Sequence, residues 1–308
     1  MRSVRKSIKA LLITFVSMFV VLAVYLGYTV TVNGARWFIS PYNPRLGNQQ
    51  QNVVAGSILD RNYVVLAKSE KPGERQYHPD STVRKATSHT VGDPYGIAAT
   101  GVESFHAQYL LGFKGNIFER LYQSIVMDQR TGDSVTTTLD SELCAYAYDK
   151  LGSNAGAIVV MNWKTGEILC SVSTPAYDPG NMDAYKGGGG SGESTLVNRV
   201  TMGQYTPGSV FKTVTLSAVV KYKPELLEKT YTCNGSYPLD DGTITCAGKA
   251  THGEQTVAQA YNNSCNICFA QIALDLGKNN MEKITRDYGF NQEFLFADLI
   301  TYQSKYAT

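Results

Sequence analysis

Two short motifs contain the side chains that could perform acyl transfer, and the first motif is Ser209 followed by Lys212. A proline–glycine pair just before them marks a loop, and the apolar run from Val210 to Val220 predicts a buried helix. Residues three apart share a helical face, so the serine hydroxyl and the lysine amine can meet. Such a pair is typical of a nucleophile activated by an adjacent base.

The position of this pair at a helix N-terminus favours that chemistry. The first helical turn presents unpaired N–H groups and the positive end of the helix dipole. Burial near that end is expected to lower the pKa of Lys212, which frees a neutral amine to take the serine proton. The spacing alone is weak evidence, because Ser3 and Lys6 repeat it within a basic N-terminal tail. The surroundings of the pair must therefore decide.

The second motif consists of Ser264 and Asn266, the only serine and asparagine that stand in this order two positions apart in the chain. An amphipathic stretch at 256–263 and an apolar stretch at 269–277 predict helices on both sides. The motif is thus placed at a break between two helices. We interpret Ser264 and Asn266 as the second candidate catalytic motif.

The N-terminal residues 1–32 predict a membrane anchor. Four basic residues precede an uncharged, mostly apolar run from Ala10 to Val32, which is long enough to cross a bilayer. The flanking charge predicts a cytoplasmic N-terminus, with the bulk of the chain outside the cell membrane. A cleaved signal peptide is the alternative, but the run is long and no A-x-A site follows it.

The remaining chain has room for about two domains. We predict a mixed α+β domain at 33–135, with a strand–turn–strand at 57–67, and a second domain at 136–308. The second domain begins with a strand at 135–138 and a helix that Asp140 caps, and its core starts with an antiparallel hairpin from about residue 155. A net charge of +2 gives no argument for a nucleic-acid partner. His78, His89 and His106 are isolated, and we interpret them as surface or capping residues.

Six cysteines leave two questions open. Cys233 and Cys246 bracket a predicted hairpin, and a disulfide between them is possible in an oxidising compartment. Cys265 and Cys268 form a C-x-x-C pair that, with Cys233, Cys246 or His252, could imitate a zinc site. Because Cys265 and Cys268 lie in an apolar helical stretch, small core residues are the favoured interpretation. We therefore expect no metal and no cofactor.

Taken together, the ordered motifs resemble the class B penicillin-binding proteins, which are membrane-anchored D,D-transpeptidases. The resemblance covers most of the chain, through the signal-anchor, ILDRN, TTTLD, AIVVMNWKTGEIL, STPAYDP, NRVTMGQYTPGSVFK, the HG-to-SCN segment and YGF. It implies an α+β fold with a transmembrane helix, a dimerisation-like pedestal at 33–135, and part of a transpeptidase domain. That last domain would be serine β-lactamase-like, with helices packed on an antiparallel sheet.

The resemblance also implies roles for the four residues. Ser209 would attack the penultimate D-alanine of a peptidoglycan stem peptide, with Lys212 as its base and its own N–H in the oxyanion hole. Ser264 would relay protons, and Asn266 would bind the substrate backbone and hold Lys212. β-Lactams would acylate Ser209. Expected partners are stem peptides, the lipid bilayer, a glycosyltransferase and other cell-wall assembly proteins.

One signature of the family is not found where the resemblance requires it. In the family a Lys-Thr-Gly strand follows the other two motifs, whereas the triplet Lys164–Gly166 precedes Ser209 and is interpreted as a hairpin turn. No such triplet follows Asn266, so we expect a C-terminally truncated chain that is inactive as it stands. The alternatives are a non-catalytic anchored scaffold for cell-wall assembly, or a β-lactam sensor or β-lactamase of the same fold.

Overall fold

The computed structural model of the chain describes residues 2–38, 51–98, 100–112, 130–188, 193–239, 242–296 and 298–307. The chain divides into two compact units. The first comprises residues 1–202 and 296–300, and the second comprises residues 203–295 and 301–308. All four candidate catalytic residues belong to the second unit. The domain boundaries that follow residues 32 and 135 stay predictions.

Helix α1 spans Arg2–Phe38 and forms the N-terminal segment. Its stretch Lys6–Thr29 is long and apolar enough to cross a membrane. The most apolar residues of this stretch are not buried inside the protein. Two threonine hydroxyls in this stretch donate to backbone carbonyls one turn earlier, so these polar groups do not require water. The helix continues to Phe38 instead of ending at Val32.

Within its described residues the first unit also contains five shorter helices and eight strands. The helices are α2 (Ser81–Val91), α3 (Val102–Phe105), α4 (Ala107–Leu110), α5 (Ser141–Leu151) and α6 (Arg199–Met202). The strands are β1 (Val53–Val54), β2 (Ile58–Leu59), β3 (Val65–Lys68), β4 (Gln76–Tyr77), β5 (Arg130–Thr131), β6 (Val135–Thr136), β7 (Gly156–Met161) and β8 (Ile168–Thr174). One sheet has the order β4-β3-β2-β6, β1 pairs with β5 in parallel, and β7 pairs with β8 antiparallel.

Asp60 organises the predicted strand–turn–strand, which β2 and β3 form as an antiparallel pair. Its Oδ1 accepts hydrogen bonds from the N–H groups of Asn62 and Val64 at 2.7 and 2.8 Å. Its Oδ2 accepts from the hydroxyl of Ser141, the first residue of α5, at 2.7 Å. The predicted cap of α5 is also present, since Asp140 accepts from the N–H of Leu143. One buried carboxylate therefore joins the turn to the start of α5.

The predicted hairpin is formed by β7 and β8, and α5 packs against β8 around Cys144, Cys170 and Val172. The strand β8 is largely buried, whereas the second half of β7 is exposed. Among the described residues β7 pairs with β8 alone, which explains its exposed side. Residues 164–166 lie in the turn, where Gly166 adopts a φ of 77° and donates its N–H to the carbonyl of Asn162. This agrees with a turn rather than a catalytic strand.

His89 is not a surface residue, and the interpretation of it as a surface or capping residue is wrong. It is 2% exposed, and its Nε2 donates to the carbonyl of Thr195 at 2.9 Å. Its ring meets the Tyr177 ring edge-on. Burial lowers the pKa of His89 to about 4, so the imidazole is neutral in the folded protein at pH 7. His78 does act locally, accepting the N–H of Asp80.

The described part of the second unit contains four helices and two strand pairs. The helices are α7 (Phe211–Tyr222), α8 (Val257–Asn262), α9 (Asn266–Leu276) and α10 (Lys278–Asp287). The strands are β9 (Thr230–Cys233), β10 (Ser236–Leu239), β11 (Gly242–Thr245) and β12 (Gly253–Thr256). β10 and β11 form the predicted hairpin, whose turn residues 240–241 lie outside the described residues, and β9 pairs with β12 antiparallel.

A single apolar core holds these helices in place. Ala218 and Val219 of α7 and Ile272 of α9 are completely buried in it, together with Val257 of α8 and Ile284 of α10. Full burial of an aliphatic side chain of this size stabilises a fold by about 1.5–3 kcal/mol. The core therefore fixes the start of α7 against the junction of α8 and α9, which is where the two motifs meet.

Candidate active site

Ser209 and Lys212 lie on one face at the start of α7. A turn of 3₁₀-helix at Gly208–Val210 runs directly into α7, and the Lys212 Nζ lies 3.0 Å from the Ser209 Oγ. Gly208 enters this turn with a φ of 58°, a conformation that favours glycine. Ser209 is exposed, whereas Lys212 is 8% exposed. The nucleophile is therefore open to a substrate, and its base is shielded from water.

Ser264 and Asn266 lie at the break between α8 and α9, as the sequence predicts. A capping box between Thr256 and Gln259 starts α8, and the sulfur of Cys265 caps α9. Ser264 has a φ of 50°, in the left-handed region that a non-glycine residue adopts at a cost of about 1–3 kcal/mol. This conformation points its backbone carbonyl, as well as its hydroxyl, at Lys212.

The Lys212 Nζ is the centre of the site. It lies 3.0 Å from the carbonyl oxygen of Ser264, 2.7 Å from the Oδ1 of Asn266 and 3.1 Å from the Ser264 Oγ, in addition to its contact with Ser209. A neutral amine has two N–H bonds and one lone pair. The two carbonyl-type oxygens can only accept, so they take both N–H bonds. The lone pair of the nitrogen then points at a serine hydroxyl and can accept its proton. This is the arrangement that a general base requires.

Asn266 is held in the orientation that this arrangement needs. Its Nδ2 donates to the carbonyl oxygen of Thr245 at 2.9 Å, at the end of β11. Since the amide nitrogen is fixed on that side, the Oδ1 faces Lys212. The Thr245 contact is not visible in the sequence, because any residue supplies a backbone carbonyl. Only the pairing of the β10–β11 hairpin places it beside α9.

The two serine hydroxyls are also in contact. The Ser264 Oγ lies 3.0 Å from the Ser209 Oγ, with Lys212 within hydrogen-bond distance of both. A proton can therefore move among these three groups without the backbone changing position. Burial lowers the pKa of Lys212 below the ordinary lysine value, because a buried site disfavours the ammonium form. The geometry and the electrostatics both favour a neutral Lys212 amine that acts as a base.

Known proteins are similar to this chain in sequence and in fold. Residues 156–305 match the family model described as penicillin binding protein transpeptidase domain. Stage V sporulation protein D of Bacillus subtilis is 31% identical over 166 residues, which cover 53% of this chain and 25% of that protein. Peptidoglycan D,D-transpeptidase PbpA of Mycolicibacterium smegmatis is 28% identical over 218 residues, covering 64% of this chain and 44% of that protein.

A solved structure extends the likeness to the fold. Penicillin-binding protein A from M. tuberculosis, as its imipenem acyl-enzyme complex, matches 83% of this chain and 63% of its own with a TM-score of 0.71. The sequence identity is 22%, so this match speaks for the fold. The chain spans less than half of the length of each of these two relatives.

Proposed function

Because this chain carries the transpeptidase domain of the penicillin-binding proteins, we propose that the protein cross-links peptidoglycan as a serine D,D-transpeptidase. The observation that carries the proposal is the set of four contacts around the Lys212 Nζ, which join both motifs. Ser209 is the nucleophile, and Lys212 is its base. Ser264 transfers protons, while Asn266 orients Lys212 and binds the substrate backbone.

The first half-reaction forms an ester on Ser209. Its Oγ attacks the carbonyl carbon of the penultimate D-alanine of a stem peptide, and its proton passes to the neutral amine of Lys212. The oxyanion that develops accepts a hydrogen bond from the Ser209 N–H. The amide bond between the two D-alanines then breaks. The proton travels from Lys212 through Ser264 to the leaving nitrogen, and free D-alanine departs.

The second half-reaction transfers the acyl group. An amine of a neighbouring stem peptide attacks the ester carbonyl, and its proton returns through the Ser264 and Lys212 pair to the Ser209 Oγ. The ester bond breaks, a new amide remains as the cross-link, and the enzyme is regenerated. A β-lactam enters the same first step. Its ring amide opens on attack, and the acyl group stays on Ser209.

The location of the protein follows from α1. Its apolar stretch Lys6–Thr29 spans the cell membrane, with the basic N-terminus in the cytoplasm and the chain that follows α1 outside, where peptidoglycan is assembled. A single-pass anchor holds the domain close to newly made glycan strands. A glycosyltransferase that makes those strands, and other cell-wall assembly proteins, are the partners that this reaction requires.

Labelling with a fluorescent penicillin tests the proposal. Membranes that contain the protein produced from its native gene are incubated with the probe and resolved by denaturing gel electrophoresis. We expect a labelled band that Ser209→Ala removes. The matched control is Ser217→Ala, a half-buried serine about two turns further along α7, which keeps the label.

Three results would contradict the proposal. Absence of label on the wild-type protein would favour a membrane-anchored scaffold without catalysis. Equal labelling of Ser209→Ala would place the nucleophile elsewhere. Fast turnover of a chromogenic cephalosporin would identify a β-lactamase, because a transpeptidase of this type remains acylated.

A further inference from the structure

Four metal-ligating side chains meet directly behind the second motif. Cys233 ends β9, Cys246 follows β11, His252 precedes β12, and Cys265 caps α9. Their sulfur and imidazole nitrogen atoms all lie within 4.8 Å of one another. The three cysteines are buried and His252 is half-buried. The sequence separates these residues, and the strand pairings bring them together.

The distances between these atoms are those of a tetrahedral zinc site. Zinc–sulfur bonds of about 2.3 Å at tetrahedral angles place two sulfur atoms about 3.8 Å apart, and a sulfur and a nitrogen about 3.6 Å apart. The Cys246 Sγ lies 3.7 Å from the Cys233 Sγ and 3.6 Å from the Cys265 Sγ. The Cys233 Sγ lies 3.5 Å from the His252 Nδ1. Three independent distances therefore agree with one central ion.

We propose that Cys233, Cys246, His252 and Cys265 bind one zinc ion. Thiolate and imidazole ligands in a tetrahedral arrangement select zinc over magnesium or calcium. Since the protein fills all four positions, the site is structural and leaves no place for a substrate or a water nucleophile. This metal site goes beyond the proposed transpeptidase function and does not depend on it.

The backbone around the sulfur atoms supports thiolates. The N–H of Cys268 donates to the Cys265 Sγ at 3.4 Å, and further backbone N–H groups face the Cys233 and Cys246 sulfur atoms. Hydrogen bonds of this kind orient metal ligands and stabilise charge on them. The fold thus supplies the outer shell that a zinc–thiolate centre needs, in addition to the four ligands.

Cys268, the second member of the C-x-x-C pair, is outside this set. Its Sγ accepts from the Gln255 Nε2 at 3.3 Å and donates to the carbonyl of Tyr231 at 3.7 Å. The C-x-x-C spacing therefore does not define the site, and the sequence-based interpretation of Cys265 as only a small core residue is revised. Cys268 is also a matched control, because it is buried in the same core but does not belong to the cluster.

The zinc ion would hold the second motif in place from behind. Cys265 stands between Ser264 and Asn266, and Cys246 follows Thr245, whose carbonyl orients the Asn266 amide. Binding both cysteines to one ion fixes the two backbone segments that position Lys212. The four ligands are thus positioning residues, and they do not touch the substrate.

The test measures metal content and needs no enzymatic activity. The full chain is purified in detergent without chelators, under mild reduction, and its zinc is measured by inductively coupled plasma mass spectrometry. We expect about one zinc ion per wild-type chain and per Cys268→Ser chain, and loss of zinc from Cys246→Ser and Cys265→Ser. Zinc at background level in the wild type, or retained in the Cys246→Ser/Cys265→Ser double variant, would overturn the proposal.

A pair of histidine variants keeps the test decisive if cysteine variants fail to fold. His252→Cys preserves four ligands and should retain the ion, whereas His252→Ala should lose it. With cobalt in place of zinc, His252→Cys should strengthen the thiolate-to-metal absorption relative to the wild type. An unchanged cobalt spectrum would exclude His252 as a ligand. Alkylation and peptide mass mapping that found a Cys233–Cys246 disulfide in the native protein would also refute the proposal.

Discussion

Replacement of Asn266 by aspartate is the sharpest test of how the site keeps the pKa of Lys212 low. The Asn266 Oδ1 lies 2.7 Å from the Lys212 Nζ, so Asn266→Asp puts a negative charge in hydrogen-bond contact with the amine. An opposite charge at this distance favours the ammonium form and raises the lysine pKa by about 1 to 3 pH units. Each unit by which the lysine pKa rises removes about nine tenths of the neutral amine that is present at pH 7. Acylation should therefore slow about 10- to 1,000-fold.

The pH profile distinguishes this effect from simple damage. The assay is the second-order rate constant of acylation by a fluorescent penicillin, measured on the native-gene protein between neutral and alkaline pH. For the wild type the rate should rise with pH, because the ammonium of Lys212 cannot accept the Ser209 proton. Burial lowers the Lys212 pKa, so that rise should be centred below the ordinary lysine value. In Asn266→Asp the rise should be displaced to higher pH.

Asn266→Ala is the matched control for this experiment. It removes the same hydrogen bonds to Lys212 and Thr245 but adds no charge. Its acylation should be slower at every pH, without an upward displacement of the profile. If the Asn266→Asp profile coincided with that of Asn266→Ala, the charge would have no influence on Lys212. The assignment of Lys212 as a neutral base would then be refuted.

Three further predictions concern the proton relay and two buried groups. Ser264→Ala should slow acylation about 10²- to 10⁴-fold, whereas Ser217→Ala should leave the rate unchanged in the same labelling assay. Burial keeps His89 neutral in the folded protein, because it lowers the pKa of His89 to about 4. The free energy of unfolding therefore has its full value above pH 6.5 and falls by about 3 kcal/mol as the pH drops from about 6.5 to 4. Denaturant unfolding across that range should show this loss, and His89→Gln should reduce its slope. Arg75 and Glu103 form a buried ion pair at 2.6 Å, so Arg75→Met should destabilise the first unit by about 3–5 kcal/mol and the double variant with Glu103→Leu by less, as measured by unfolding.

The four side chains that meet around Lys212 could be singled out from the sequence because each pair of them is local. Ser209 and Lys212 are one helical turn apart, and periodicity alone places them on one face. Ser264 and Asn266 stand at a visible break between two apolar segments. Their meeting is long-range, and only the ordered motifs of the resemblance indicated it. The contact between the Lys212 Nζ and the carbonyl of Ser264 depends on a left-handed residue, which serine does not signal.

Other features depend on pairings that no local pattern encodes. Cys233 and Cys265 are distant in the chain. The sequence left a disulfide with Cys246 open for Cys233, and it favoured a role for Cys265 as a small core residue. The structure brings each of them against Cys246 or His252 through the β9–β12 pair and the β10–β11 hairpin. His89 was misjudged for a similar reason, since its partner Thr195 belongs to a remote segment. In each case the partner, and not the residue type, determines the role.

In the proposed function, the turn at Ser264–Asn266 would serve catalysis and architecture at once, because its middle residue faces the other way. Cys265 has extended backbone dihedrals, with a φ of −69° and a ψ of 112°. In extended backbone the residues on either side point to one face, and the central residue points to the opposite face. Ser264 and Asn266 therefore both reach Lys212, and Cys265, which is completely buried, reaches the cluster of thiols. A metal held there lies behind the catalytic face, so it can stiffen the turn that positions the base but has no access to the substrate.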